Sequence, residues 1–123
     1  MKATVLVLDN DAWMRELLSL HLTGAGYEVL VAEDAVVAGH LLLERRVDLL
    51  LADIDLPYMD GLEFVQALRS DPVVGSIPVI FVTSNEENEA RGMALGAVAY
   101  LRKPVHADQL LATVKNTWAV ALP

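Results

Sequence analysis

The stretch DLLLADIDLPYMDG, residues 48–61, carries the decision about the fold. Within its first part, residues 48–52, the apolar side chains Leu49, Leu50, Leu51 and Ala52 are consecutive rather than alternating. A strand with one face in water would alternate, so this run fits a strand covered on both faces, as in a parallel sheet. Asp53 then ends the run, and Asp60 with Gly61 supplies the turn chemistry that precedes a helix.

The same succession repeats outward in both directions. Runs rich in Val, Ile and Leu lie at residues 4–8, 28–31, 78–82 and 99–101, each of strand length. Between them fall segments of helical period: Met14, Leu17, Leu18 and Leu22 share one face, Leu41, Leu42 and Leu43 thicken the apolar side of residues 35–46, and Leu62, Val65 and Leu68 form a third stripe. Residues 107–120 carry Leu110, Leu111, Val114 and Trp118 at the same spacing. Gly24 and Gly26 close the first helix, Asp71 and Pro72 follow the third, and Gly96 closes the fourth. Residues 86–95 make the weakest helix, with the sparse stripe Ala90, Met93 and Ala94 and an interior Gly92 that costs roughly 1 kcal/mol relative to alanine. This should be the most mobile helix. Five alternations of strand and helix predict an α/β fold with a doubly wound parallel sheet and helices on both faces.

A length of 123 residues with 54% hydrophobic content is enough for one domain with its own core. There is no cysteine, so disulfides and thiolate metal sites are excluded and a reducing compartment, the cytoplasm by default, is expected. The N-terminal apolar run is too short for a signal peptide core, and no stretch reaches the roughly 18 apolar residues of a membrane span. A formal charge of -8 repels phosphate backbones, which argues against direct nucleic-acid binding.

In a doubly wound sheet, ligands bind beyond the carboxyl ends of the strands, where strand order reverses. Asp9 and Asn10 close the first run, Asp53 the third, Thr83 and Ser84 the fourth, Arg102 and Lys103 the fifth. With strand order 2-1-3-4-5, Asp9, Asn10 and Asp53 share one pocket, and Thr83 and Lys103 lie on its far wall. Such a group suits phosphoryl transfer to a carboxylate. Mg2+ would offset the repulsion of an anionic donor, needing only one or two carboxylates with waters and phosphate oxygens.

Together, VLVLDND, DLLLADIDLPYMDG, PVIFVTS and YLRKP resemble a response-regulator receiver domain of two-component signalling, similar to the chemotaxis response regulator, over essentially the whole chain. The resemblance implies a (βα)5 flavodoxin-like three-layer sandwich, and a single receiver domain over residues 1–123. It implies that Asp53 accepts a phosphoryl group from a sensor histidine kinase or phosphotransfer protein. Asp9, Asn10 and Asp53, with the backbone carbonyl of Asp55, would hold Mg2+. Thr83 would be the switch hydroxyl, Tyr100 the switch aromatic, and Lys103 the partner of the phosphoryl group, before a cis bond to Pro104. The face made by the fourth helix, fifth strand and fifth helix would then change for a downstream protein, an effector domain or a second copy of the chain. Asn85 and Asp55 fall where the family tunes dephosphorylation. The protein would be a phosphoacceptor switch with at most self-catalysed chemistry, not an enzyme acting on a separate substrate.

One residue departs from the family pattern. Asn10 stands where a second acidic metal ligand is usual, so the pocket holds Asp9 and Asp53 as its formal negatives and weaker Mg2+ binding is expected. This leaves a pseudo-receiver, an interaction module with weak or no phosphorylation, as the alternative. A phosphohydrolase using Asp53 and Asp55 is a further rival, but no cap segment is present to enclose a substrate. Asp11 reads as a helix N-cap rather than a ligand. His21, His40 and His106 are scattered and receive no chemistry, and Trp13 reads as a rim aromatic.

Overall fold

Consecutive apolar residues leave a strand no face to offer water, and the chain answers by covering both. Strands β1 (Thr4–Leu8), β2 (Glu28–Ala32), β3 (Leu49–Ala52), β4 (Val79–Thr83) and β5 (Ala99–Arg102) alternate with helices α1 (Ala12–Gly24), α2 (Ala35–Glu44), α3 (Gly61–Arg69), α4 (Glu89–Ala94) and α5 (Ala107–Ala121). This arrangement comes from a computed structural model that describes residues 2–121, so residues 1, 122 and 123 of the expected domain lie outside the described residues. The sheet is parallel throughout, in order β2-β1-β3-β4-β5, which is the predicted flavodoxin-like sandwich.

The pleat divides the core into two layers. Leu6, Leu8, Leu50, Ala52, Val79 and Phe81 face one way, against Ala38 and Leu42 of α2 and Leu62, Val65 and Leu68 of α3. Val5, Val7, Leu49, Leu51, Ile80 and Val82 face the other, against Leu18 and Leu22 of α1 and Leu110 and Val114 of α5. Every residue of β1, β3 and β4 is buried, which is why these runs carry no alternation.

Side-chain caps set most helix starts. Asp11 accepts from Trp13 N at 2.9 Å, Asp34 from Val37 N at 2.9 Å, and Asp60 with Glu63 forms a reciprocal capping box. Gly26 and Gly96 adopt positive φ, 98° and 85°, where helices α1 and α4 give way to the next strands. Helix α4 is shorter than the expected 86–95 segment. Asn85 Oδ1 accepts from Glu87 N at 3.1 Å and from Asn88 Nδ2 at 3.0 Å, and this local turn takes the residues that would have formed the first helical turn. Its N-cap, Asn88, makes no capping hydrogen bond. Strand β3 loses Asp48 because that carboxylate accepts from Thr4 N at 2.8 Å, and α2 stops at Glu44, after which Arg45 pairs with Glu28 at 2.7 Å.

Gly61 fixes the path of the β3–α3 loop. A methyl group on it would strike the carbonyl oxygen of Asp53 and lie 2.9 Å from Ile54 Cα. Both obstacles are backbone, so neither can turn aside. Gly61→Ala is expected to destabilise the protein by about 3 kcal/mol, measured by urea unfolding; a loss under about 0.5 kcal/mol would contradict the packing described.

Candidate functional site

Register brings the two acids together. Leu8 pairs with Ala52, so Asp9 and Asp53 are the next residues of neighbouring strands, and Asp53 N donates to Leu8 O at 2.9 Å. On the far side Lys103 N donates to Thr83 O at 2.9 Å, and the Lys103–Pro104 bond is cis, as expected. Lys103 Nζ reaches across the sheet end to donate to Asp9 Oδ2 at 2.7 Å and Asp53 Oδ2 at 2.8 Å. The three side chains are 14%, 2% and 8% exposed for Lys103, Asp9 and Asp53, so this is a largely dry cross-bridge with one net negative charge.

The remaining carboxylate oxygens are also used. Asp9 Oδ1 accepts from Asp11 N at 2.9 Å, and Asp53 Oδ1 accepts from Ile54 N at 2.7 Å and Asp55 N at 3.3 Å. Burial alone would push the Lys103 ammonium down, but hydrogen bonds and charge from Asp53 and Asp9 outweigh it and hold the group above its ordinary 10.5. Lys103 is therefore charged at neutral pH.

The other predicted residues are arranged around Asn85 rather than on Asp53. Thr83 is fully buried and its hydroxyl accepts from Asn85 N at 3.1 Å. Asn85 O accepts from the Tyr100 hydroxyl, and Asn85 Nδ2 donates to Asp55 Oδ1 at 3.3 Å. Asn85 thus joins the Thr83 hydroxyl, the Tyr100 hydroxyl, the Asp55 carboxylate and the turn before α4. The Asp55 side chain is exposed and turned toward Asn85, while its N–H faces Asp53. Asn10 is exposed at the rim, in a shallow cleft with Glu33, Asp34, Pro57 and Tyr58, and Tyr58 takes φ 71°, an uncommon left-handed conformation for a non-glycine residue. Trp13 is 68% exposed beside it on the first turn of α1, and the histidines stay apart.

Sequence reasoning missed Arg15, whose Nη1 donates to Asp9 O at 2.7 Å and pins the acidic corner from α1. Its position one helical turn after the Asp11 cap was the available signal.

The donor set suits a hard divalent cation, because two buried carboxylates already close on one shared positive centre and such ions accept one or two carboxylates with waters. It is a sparse set. Among the described residues, no group of three or more His, Cys, Asp or Glu side chains is arranged to hold a metal.

Comparison with known proteins shows the family. Residues 5–115 match the profile of the response regulator receiver domain, and the chain belongs to that family. It is 36% identical over 114 residues to the phosphate regulon transcriptional regulatory protein PhoB of Pseudomonas aeruginosa, covering 91% of this chain and 50% of that protein. It is 34% identical over 113 residues to the DNA-binding dual master transcriptional regulator RpaA of Synechocystis, covering 90% and 47%. The chain spans about half the length of these curated relatives. Among solved structures, chemotaxis response regulator CheY4 of Vibrio cholerae superposes with TM-score 0.87 at 33% identity, covering 94% of this chain and 98% of that one. A response regulator from Chloroflexus aurantiacus gives 0.91 at 32%, covering 97% and 99%. No helix among the described residues is long and apolar enough to cross a membrane.

Lys103→Met would leave two buried carboxylates without a counter-charge. A loss of about 3 kcal/mol at pH 7 is expected. In the wild type the raised lysine pKa means its contribution is complete below 10.5 and disappears as pH rises through the folded value. Urea unfolding of wild type and variant from about pH 7 to 11 checks the difference and its loss at high pH.

Proposed function

We propose that this receiver domain, taken as one unit over residues 1–123, accepts a phosphoryl group on Asp53 from the phosphohistidine of a sensor kinase or phosphotransfer protein. The observation that carries the reading is the Lys103 ammonium shared between Asp9 and Asp53. Two acids held so close demand a cation, and a carboxylate nucleophile beside an ammonium is equipped to receive an anionic group. Asp9, with the amide oxygen of Asn10 and the backbone carbonyl of Asp55, would hold Mg2+ beside Asp53. When bound, that ion neutralises charge on the donor and on the transferred group. Lys103 would move its ammonium to a phosphoryl oxygen, and Thr83 would exchange its bond from Asn85 N for one to the same group.

Release of Thr83 disturbs Asn85, and with it the Tyr100 hydroxyl and the start of α4. The α4-β5-α5 face is thereby biased toward a second conformation that a downstream protein, an effector domain or a second copy can read. The transcriptional regulators among the relatives make an effector domain a natural output; the acidic receiver itself, at charge -8, is not proposed to touch nucleic acid. A kinase donor that draws on ATP implies the cytoplasm. The protein acts as a switch, and the engagement of the Asp55 carboxylate by Asn85 counts against a hydrolase using Asp53 and Asp55.

A second reading, the pseudo-receiver, rests on Asn10 alone. One experiment divides the two. Wild type incubated with Mg2+ and acetyl phosphate is expected to gain one phosphoryl group on Asp53 by mass spectrometry, lost in Asp53→Asn. No adduct in the wild type at saturating Mg2+, with adduct in Asn10→Asp, supports the pseudo-receiver instead. Trp13 fluorescence should report Mg2+ binding at least about fivefold tighter in Asn10→Asp, because an added charge a few Å from the ion is worth more than about 1 kcal/mol in a partly hydrated pocket; equal affinity contradicts the weakened site.

A further inference from the structure

Gly92 is the residue that local physics explains least. It sits inside a six-residue helix whose N-cap makes no side-chain capping hydrogen bond, where glycine lowers helix stability. Packing supplies the reason. Gly92 is buried, and a Cβ on it would lie 3.0 and 3.1 Å from Cδ2 and Cε2 of Phe81 and 3.2 Å from Cδ2 of Tyr100. Each distance is tighter than side-chain carbons normally allow, so one of the two rings has to give.

The rings differ in freedom. Phe81 is fully buried in the interior strand β4, among residues that close it in on the α2 and α3 side. Tyr100 is partly exposed on the edge strand β5, with its centroid 6.0 Å from that of Phe81 and its plane tilted by 50°. Its hydroxyl is held by Asn85 O, and Asn85 N holds the Thr83 hydroxyl. A continuous line of contacts therefore runs from α4 to the pocket, through Gly92, the Tyr100 ring, Asn85 and Thr83.

We propose that Gly92 is a positioning residue for Tyr100, its bare Cα forming the seat that lets the ring lie between α4 and Phe81 with its hydroxyl on Asn85. The signalling consequence rests on the reading of Tyr100 as a switch. The seat itself stands on the geometry alone. Added bulk at residue 92 displaces the more mobile Tyr100 ring by a few tenths of an ångström and loosens its hold on Asn85, even though alanine favours the helix.

The test is NMR on the full chain carrying labelled tyrosine and phenylalanine rings, first with no phosphodonor. In the wild type the Tyr100 phenol ionises above its ordinary 10.0, raised by burial first and by Glu89 of α4, then by Asp55 and Asp53, with Arg102 of β5 opposing. In Gly92→Ala the midpoint is expected to fall toward the ordinary value, and the Phe81–Tyr100 ring contact should weaken. Phe81→Leu removes the ring that blocks the methyl, so Gly92→Ala with Phe81→Leu should restore the midpoint found in Phe81→Leu alone. An unchanged midpoint and contact in Gly92→Ala overturns the proposal. If that variant does not fold, the double variant decides: a folded protein with a seated Tyr100 supports the seat, and failure to fold where Phe81→Leu folds overturns it. With acetyl phosphate added, wild type should shift its Tyr100 signals and Gly92→Ala should not. Absence of the adduct in the wild type would sink the proposed function, while the donor-free titration would still decide the seat.

Discussion

An ammonium group drawn between two carboxylates organises this protein. Lys103 lies 94 residues from Asp9 and 50 from Asp53, so the cross-bridge cannot form until β1, β3 and β5 have reached their places in one sheet. Buried charges are unfavourable unless paired, and each acid here also accepts backbone N–H groups that keep its second oxygen satisfied. The same feature that makes the site demanding makes it responsive. With one net negative charge in a largely dry pocket, arrival of a cation or an anion redistributes every bond that Lys103 makes.

From that pocket the structure offers one well-connected route outward. Asn85 uses its backbone N–H and C=O and both ends of its side chain, so it cannot shift without disturbing Thr83, Tyr100, Asp55 and the turn before α4. The helix it leads into is six residues long and uncapped at its start. At the other end the guanidinium of Arg69 donates to Leu95 O at 2.8 Å, Gly75 O at 3.0 Å and Ile77 O at 2.7 Å, fastening the end of α4 to the loop after α3. A short helix held firmly at one end and through a polar hub at the other is suited to pivoting, which is a form of local instability placed where a switch can use it.

The sequence carried the sheet plainly, because consecutive apolar residues in β1, β3 and β4 correspond to strands with no solvent face. It also carried the acidic pair, since strand ends in a doubly wound sheet converge by topology. What it hid was tertiary. The start of α4 was misplaced because the Asn85 side chain captures Glu87 N and Asn88 Nδ2, a local competition that helical periodicity does not register. Arg15 looked like one more polar residue of α1 until its reach to Asp9 O was visible. Gly92 looked like a defect until two rings from β4 and β5 were found against it.

The central claim is that the Asp9, Asp53 and Lys103 cluster receives a phosphoryl group and that Asn85 relays its arrival. Amide NMR with Mg2+ and beryllofluoride, a stable phosphoryl mimic that forms on a carboxylate, tests both halves in one titration. Shifts beginning at Asp53 and continuing through Thr83, Asn85 and Tyr100 into residues 89–94 are predicted. Shifts confined to the neighbours of Asp53, or none at saturating reagent, would contradict the account.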